Sequence, residues 1–285
     1  MNGSSVSTSL QPGYILHYRE YQESSFIVDA FCLTHGRVSL FARSARQSRP
    51  QVRALYQPFR PLLISWVGSG ELRTLTGIED SGNVHELKDV RLACGYYINE
   101  IVLRLLGKDQ PNDPVFAYYA LALSELEQNE LNYEAVLRTF ELQLLDTLAV
   151  LPDFRHCLLE GASVQPELEY TYYPANAIAL PAQETQTHGL LKKRHVLPEK
   201  MVSASGTVVH PDGITEDKGI QVQGKTLIAL QDLDFSDREV IAECRPLMKQ
   251  ILREQLGDKP LRSRELFAAL APAKPDVQSG SAADT

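Results

Sequence analysis

The sequence predicts an α+β protein in which a small β-barrel precedes a mainly helical domain. From Gly13 to Glu79, short apolar runs alternate with polar residues and are separated by turns such as His35-Gly36, which is typical of strands. After Leu87 the apolar residues recur every three or four positions, which is typical of amphipathic helices. With 285 residues, the chain is long enough for about two domains.

The first domain, expected at 10–84, follows a Ser- and Thr-rich segment, 1–9, that we expect to be disordered. Its five predicted strands are 14–19, 25–33, 37–43, 61–67 and 72–78. Five short strands favour a closed barrel, and the OB-fold is the leading candidate because it closes five strands. An SH3-like barrel has a similar strand pattern, so counting strands does not separate the two folds.

The second domain, expected at 85–271, begins with three helices. The second of them is predicted to start at Asp113-Pro114, with Asp113 as the cap, and the third near Asn132. The predicted buried stripes are Cys94, Ile98, Ile101 and Leu105 in the first helix, Phe116, Tyr119, Leu123 and Leu126 in the second, and Val136, Leu137, Phe140, Leu144 and Leu148 in the third.

The region 152–230 shows little periodicity and is expected to be an irregular or β insertion in the helical domain. A later helix is predicted from a capping box formed by Ser236 and Glu239, with Pro246 inside it and Gly257 at its end. A short helical segment capped by Ser263 follows. The tail, 272–285, is expected to be disordered.

Charge is distributed unevenly along the chain. The protein carries 36 Asp and Glu against 28 Lys and Arg, a net charge of -8, yet the segment from Cys32 to Gly70 has six arginines and no acidic residue. Within it, Val38, Leu40 and Ala42 should face the core while Phe41 lies on the opposite face between arginines. An aromatic ring flanked by guanidinium groups is the chemistry that binds single-stranded nucleic acid.

The basic segment supplies most of the predicted nucleic-acid-binding residues, which are Arg37, Phe41, Arg43, Arg46, Arg49, Arg53 and Arg60. The alternative is a solvated strand edge kept charged against aggregation. Near the C-terminus, Lys259, Arg262 and Arg264 form either a second phosphate-contact site or a basic helix entry that packs on the fold.

The third helix predicts a site for a free carboxylate that is accompanied by an aromatic side chain. Arg138 is placed to hold a free carboxylate, and Leu137, Phe140 and Leu144 offer an apolar recess for an aromatic side chain. The alternative is that Arg138 pairs with a nearby Glu such as Glu134 or Glu141.

No catalytic site is predicted. The chain has no phosphate-binding glycine loop, no His-Glu-x-x-His and no Gly-x-Ser-x-Gly, and its seven histidines are scattered singly. The four cysteines form no C-x-x-C pair, so neither a disulfide framework nor a metal site is expected. The N-terminus does not resemble a signal peptide and no apolar run is long enough to span a membrane, so we expect a cytoplasmic, nucleoid-associated protein.

Several segments, in this order along the chain, resemble the RecO family of bacterial DNA-repair recombination mediators. They are Gly36-Arg37-Val38 with the Arg-rich loop, 55–62, Tyr97-Ile98-Asn99-Glu100, Leu137-Arg138-x-Phe140-Glu141 and 259–267. The resemblance implies an N-terminal OB-fold, binding of single- and double-stranded DNA, strand annealing, recombinase loading, the partner RecR, and contact with the acidic tail of single-strand DNA-binding protein.

One departure from that family concerns metal. Many members carry two C-x-x-C pairs as a zinc ribbon after the helical domain, whereas here only Cys157 stands at that place, with Glu160 where a second cysteine is expected. We therefore expect a ribbon-like insertion without zinc and no cofactor. The alternative function from another class is an OB-fold adaptor that binds an acidic partner protein.

Overall fold

A computed structural model describes residues 7–128, 132–157, 161–173, 177–179, 201–202, 208–209 and 219–270. The N-terminal strands are β1 (Gln11–Tyr21), β2 (Ser25–Cys32), β3 (Gly36–Ala42), β4 (Leu62–Val67) and β5 (Leu72–Asp80). Between β3 and β4 the basic loop folds into a short 3₁₀ helix, Ala45–Gln47, and a short helix α1 (Pro50–Ala54). The five predicted strands are therefore confirmed, each within a few residues of its expected ends.

The five strands form one closed barrel in the order β1-β2-β3-β5-β4. β3 and β5 pair in parallel, with Phe41 opposite Thr74, while the other neighbours in the barrel are antiparallel. This topology is that of an OB-fold, so the structure resolves the alternative that strand counting left open. The barrel interior is filled by the apolar face of the strands, including Val38, Leu40 and Trp66.

The helical domain is built mainly from α2 (Asp89–Leu105), α3 (Asp113–Gln128), α4 (Tyr133–Thr147), α5 (Gly224–Asp232), α6 (Arg238–Leu256) and α7 (Ser263–Leu270). Between α4 and α5 lie β6 (Glu169–Tyr173), β7 (Ala177–Ala179), β8 (Met201–Val202), β9 (Val208–Val209) and β10 (Ile220–Gln223). The strands β10, β6 and β7 form a small sheet, and β8 pairs with β9. The region predicted as an irregular or β insertion thus contains strands, but its end forms α5, which the sequence analysis missed.

A single hydrophobic core joins the barrel to the helices. Tyr14, Leu16 and Phe31 point out of the barrel and pack in the same cluster as the buried residues of α2, α3, α4 and α6. At this junction Asn99 donates to the carbonyl oxygen of Leu16 at 2.8 Å and accepts from the hydroxyl of Tyr119 at 2.7 Å. Because these polar groups satisfy one another in a buried setting, they fix the position of α2 against β1.

Three local predictions are wrong by small amounts. Asn112, not Asp113, caps α3, since its side chain accepts from the backbone of Val115 at 3.1 Å. Asp237, not Ser236, caps α6 and accepts from the backbone of Glu239 at 2.8 Å. In both cases two neighbouring residues are good cap formers, and the sequence pattern does not choose between them.

The third difference concerns the N-terminal segment, which is described from residue 7 onward. Ser7 pairs with Val67, and the backbone of Thr8 donates to the carbonyl oxygen of Trp66 at 2.9 Å. These residues lie against β4, unlike the disordered segment expected there. The tail expected at 272–285 lies outside the described residues.

Candidate nucleic-acid interface and basic cavity

The outer face of β3 carries the first predicted DNA-binding residues, but it does not leave all of them free. Phe41 is half-buried and contacts Tyr21 edge-on, with ring centroids 6.0 Å apart. The side chain of Arg37 instead donates to the carbonyl oxygen of Leu103, and its own carbonyl accepts from the backbone of Asp109 at 2.9 Å. Burial lowers the pKa of Arg37, an effect that Asp29 partly opposes. Arg37 therefore holds the barrel to the helical domain.

The basic loop after β3 presents the most accessible cations of the barrel. Arg43, Arg49 and Arg53 are exposed, and their side chains form no ion pair within the described part of the chain. Arg46 lies 3.0 Å from Glu20 and donates to the carbonyl oxygen of Gln22 at 3.0 Å. Arg46 therefore lies at the end of the β1-β2 hairpin near Glu20, while Arg43, Arg49 and Arg53 offer exposed positive charge.

Arg60 belongs to a different environment from the other arginines of the basic segment. Its guanidinium lies 2.6 Å from Asp80 at the end of β5, and its side chain is only 18% exposed. Like Arg37, it is already engaged by protein groups, so neither residue offers a free cation on the outer surface of the barrel.

Three residues of this face were missed by the sequence analysis. In the paired strands, Arg19 lies opposite Ile27, which lies opposite Phe41, so the three side chains share one face. Ile27 is only 8% exposed yet belongs to neither hydrophobic core, which means that its neighbours on the outer face cover it. Tyr21 is 39% exposed beside Phe41. The alternation of His17, Arg19 and Tyr21 in β1 was the signal available for this stripe.

Arg138 on α4 lies in a buried polar cluster. Its guanidinium pairs with Glu141, whose carboxylate also accepts from the hydroxyl of Tyr97 at 2.5 Å. Glu141 is fully buried, and the side chain of Arg138 is 14% exposed. Burial disfavours the charge of Arg138, but the attractions of Glu141, Tyr97, Cys244 and Glu134 together outweigh burial and raise the pKa of Arg138. The guanidinium is therefore held charged and fixed, with one edge toward a cavity.

That cavity, of about 510 Å³, lies between α4, α6 and the segment that leads into α7. We call it the basic cavity. It is lined by the cations Arg138, Arg245, Lys249, Arg253, Lys259 and Arg264, and by the apolar or aromatic residues Tyr97, Leu137, Leu252, Leu256, Leu261 and Phe267. The one carboxylate on its lining is Asp258, 3.3 Å from Arg253. Such a lining suits a ligand that combines negative charge with an apolar group.

Several of the cavity's cations keep their charge uncompensated. Arg245 is paired with Glu134 at 2.5 Å. Lys249, Lys259 and Arg264 are exposed and form no ion pair with any residue that the structure describes.

The segment that carries Lys259 and Arg264 is anchored from α2, because the carboxylate of Glu100 accepts from the backbones of Arg262 and Ser263, both at 2.9 Å.

The structure separates some residues that were predicted together and unites others. Phe140 and Leu144 are fully buried in the core and do not line the basic cavity, whereas Leu137 and Arg138 do. Lys259 and Arg264, predicted as a separate phosphate site, line that same cavity, and Arg262 is exposed outside it. Periodicity placed Leu137, Phe140 and Leu144 on one stripe beside Arg138, but it did not show which of these residues reach past the core.

Within the described residues, no group of three or more His, Cys, Asp and Glu side chains is placed to hold a metal ion. Cys157 is 1% exposed at a turn closed by a bond from the backbone of Gly161 to its carbonyl oxygen, 2.8 Å long. Glu160 lies outside the described residues. No helix in the described part of the chain has the length and hydropathy that a membrane span requires.

The chain matches two family models along most of its length. The model "Recombination protein O N terminal" matches residues 6–83, which include the barrel, and "Recombination protein O C terminal" matches residues 90–203. A relative from Haemophilus influenzae is 34% identical over 262 residues, covering 92% of this chain and 97% of the relative. Others are from Glaesserella parasuis, 31% identical with 92% and 96% covered, and Methylococcus capsulatus, 33% identical with 90% and 92% covered. Each relative bears the name DNA repair protein RecO.

Proposed function

The chain belongs to the RecO family of DNA repair and recombination proteins, and from this we propose that it is a non-enzymatic mediator that binds DNA and anneals complementary strands. In this proposal it also helps to load recombinase onto single strands coated with single-strand DNA-binding protein. Both single- and double-stranded DNA are proposed ligands, since the contacts fall mainly on phosphates, which the two forms share.

The observation that carries the proposal is the outer surface of the barrel near β3. The exposed Arg43, Arg49 and Arg53 are free to contact phosphates, and Arg46 joins them if DNA displaces Glu20. Beside them, the rings of Tyr21 and Phe41 are accessible for stacking on bases. Neutralising two backbones on one surface lowers the repulsion between strands, and unstacked bases are then available for pairing.

The basic cavity supports the second part of the proposal, contact with the acidic, Phe-ended tail of single-strand DNA-binding protein. Arg138 presents a fixed positive charge for the terminal carboxylate, and Leu137, Leu261 and Phe267 form an apolar recess for the ring. We keep RecR as a proposed partner on the strength of the family alone and assign no surface to it.

The proposal is tested with the variant Arg43→Ala/Arg46→Ala/Arg49→Ala/Arg53→Ala in strand-annealing and single-strand binding assays. We expect weaker binding of all sequences alike, because phosphate contacts carry no base information. The log-log salt slope should shrink by about 3, since each phosphate contact on a single strand contributes roughly 0.7.

The matched control removes four exposed cations outside the basic segment and the basic cavity, by changing Lys88, Arg155, Lys225 and Arg238 to Ala. It alters the net charge equally and should leave the salt slope near that of the unaltered protein. If the two variants behave alike, only overall charge matters and the barrel surface is not the interface. If the unaltered protein does not bind mixed-sequence single strands, the barrel acts as a protein-binding adaptor instead.

A further inference from the structure

Two sets of residues that the sequence assigned to different ligands line the same cavity. Arg138 and Leu137 were predicted to bind a carboxylate-ended tail, and Lys259 and Arg264 were predicted to bind DNA phosphates. In the folded chain all four line the basic cavity, although more than a hundred residues separate the two pairs in sequence. The cations predicted for the two ligands therefore line one cavity.

We propose that the basic cavity holds either the acidic tail or a stretch of DNA backbone, and never both at once. This inference rests on the proposed function, since it takes the tail and DNA as the two ligands. It adds regulation: a molecule whose cavity holds a tail binds DNA through the barrel surface alone, and release of the tail adds a second region of DNA contact.

The size of the cavity supports the proposal that the acidic tail and DNA cannot occupy it together. A volume of about 510 Å³ falls within the range of about 300 to 1,000 Å³ that encloses one drug-sized ligand. The final residue of the tail, with its ring and carboxylate, is a ligand of that size. Once a ring occupies the recess formed by Leu261 and Phe267, a phosphate approaching Arg264 meets the tail as well as the cation.

The positive charge of the cavity supports the same proposal independently of the cavity's size. Lys249, Lys259 and Arg264 have no carboxylate partner among the described residues, so the cavity attracts anions from either source. After a multiply charged tail has bound, the cavity's positive charge is neutralised or reversed. A second polyanion then finds no unpaired cation and meets like charge, which is unfavourable.

The experiment measures binding of a mixed-sequence single strand, over a range of salt concentrations, with and without a saturating synthetic acidic peptide that ends in phenylalanine. Peptide binding is followed separately with a fluorescent label. We expect the peptide to weaken DNA binding roughly tenfold at low ionic strength and to reduce the log-log salt slope by about 2, the contribution of three cations. A peptide with the same charge whose last Phe is replaced by Ala should have little effect.

The variant Lys249→Ala/Lys259→Ala/Arg264→Ala should show the reduced slope without any peptide and should no longer respond to it. All three side chains are exposed, so the fold is expected to survive, which circular dichroism checks. Lys225→Ala/Arg238→Ala, two exposed cations outside the cavity, serves as the control and should behave like the unaltered protein.

Two outcomes overturn the inference, and they differ in what they say about the proposed function. If the Phe-ended peptide binds but the DNA affinity and salt slope stay the same, the ligands are not exclusive and the proposed function stands. If the peptide fails to bind, or if both peptides weaken DNA binding equally, the cavity is not a tail site and that part of the proposed function falls as well.

Discussion

At the scale of single residues, the most informative group is the buried cluster of Arg138, Glu141 and Tyr97. The spacing of Arg138 and Glu141 indicated that they could pair, and the structure confirms the pair. Sequence reasoning did not reveal that the pair is buried, because the covering residues come from α2, α6 and α7, far away along the chain. It also missed Tyr97, whose partner lies 44 positions away.

Because the pair is buried, the losses in free energy of unfolding caused by removing each partner should not add up when both are removed. We expect Arg138→Met to lower the free energy of unfolding by about 3 to 5 kcal/mol, since it leaves the Glu141 carboxylate buried and unpaired. The double variant Arg138→Met/Glu141→Gln should cost clearly less than the sum of the single variants. Urea unfolding measures each difference, and simple additivity would contradict the pairing. This coupling also means that Arg138→Ala alone is a poor probe of tail binding.

At the scale of elements, the start of β3 shows which contacts hold the barrel against the helical domain. Gly36 has φ +65°, and a Cβ there would lie 1.9 Å from the carbonyl oxygen of Gln110 in the link between α2 and α3. The same link provides Asp109, which pairs with Arg73 of β5 at 2.7 Å. The sequence predicted Gly36 as a turn residue, but its close approach to Gln110 depends on tertiary packing that no local pattern encodes.

We expect Gly36→Ala to destabilise the protein more than a glycine substitution at an open position with a similar backbone angle. Gly161 has φ +63°, and a Cβ added there would meet no heavy atom within 4 Å, so Gly161→Ala introduces only the backbone strain of about 1 to 3 kcal/mol. Gly36→Ala adds the clash with Gln110 to that strain. Thermal unfolding of both variants makes the comparison, and equal losses would show that the contact at Gln110 contributes nothing.

At the scale of the whole molecule, the described part of the chain has two hydrophobic cores, and the boundary between them differs from the boundary between the predicted domains. One core fills the barrel, and the other runs from the outer face of the barrel into the helices. The alternation of β3 predicted the first core correctly. The apolar stripes of α2, α3 and α4 predicted the helical part of the second core. Its extension onto the barrel was not predictable, because apolar residues such as Tyr14 and Phe31 on an outer face look the same in sequence whether a helix covers them or solvent does.

The shared core predicts that the barrel and the helices unfold together. Trp66 is the only tryptophan in the chain and is 1% exposed inside the barrel, so its fluorescence reports the barrel alone. Circular dichroism reports mainly the helices. We expect both signals to give the same midpoint in urea, as a cooperative two-state transition requires. A barrel transition at a clearly different urea concentration would show that the two parts are independent.

The contacts of Gly36, Arg37 and Asn99 hold the barrel and the helical domain in a fixed arrangement, and this affects how the proposed DNA contacts combine. Two binding regions on one rigid body act as a bivalent receptor with no flexible linker, so a ligand that reaches both gains avidity without the entropy cost of bringing the regions together. Affinity should then rise steeply once an oligonucleotide is long enough to span from the barrel surface to the basic cavity. Below that length, the molecule would behave as a monovalent receptor.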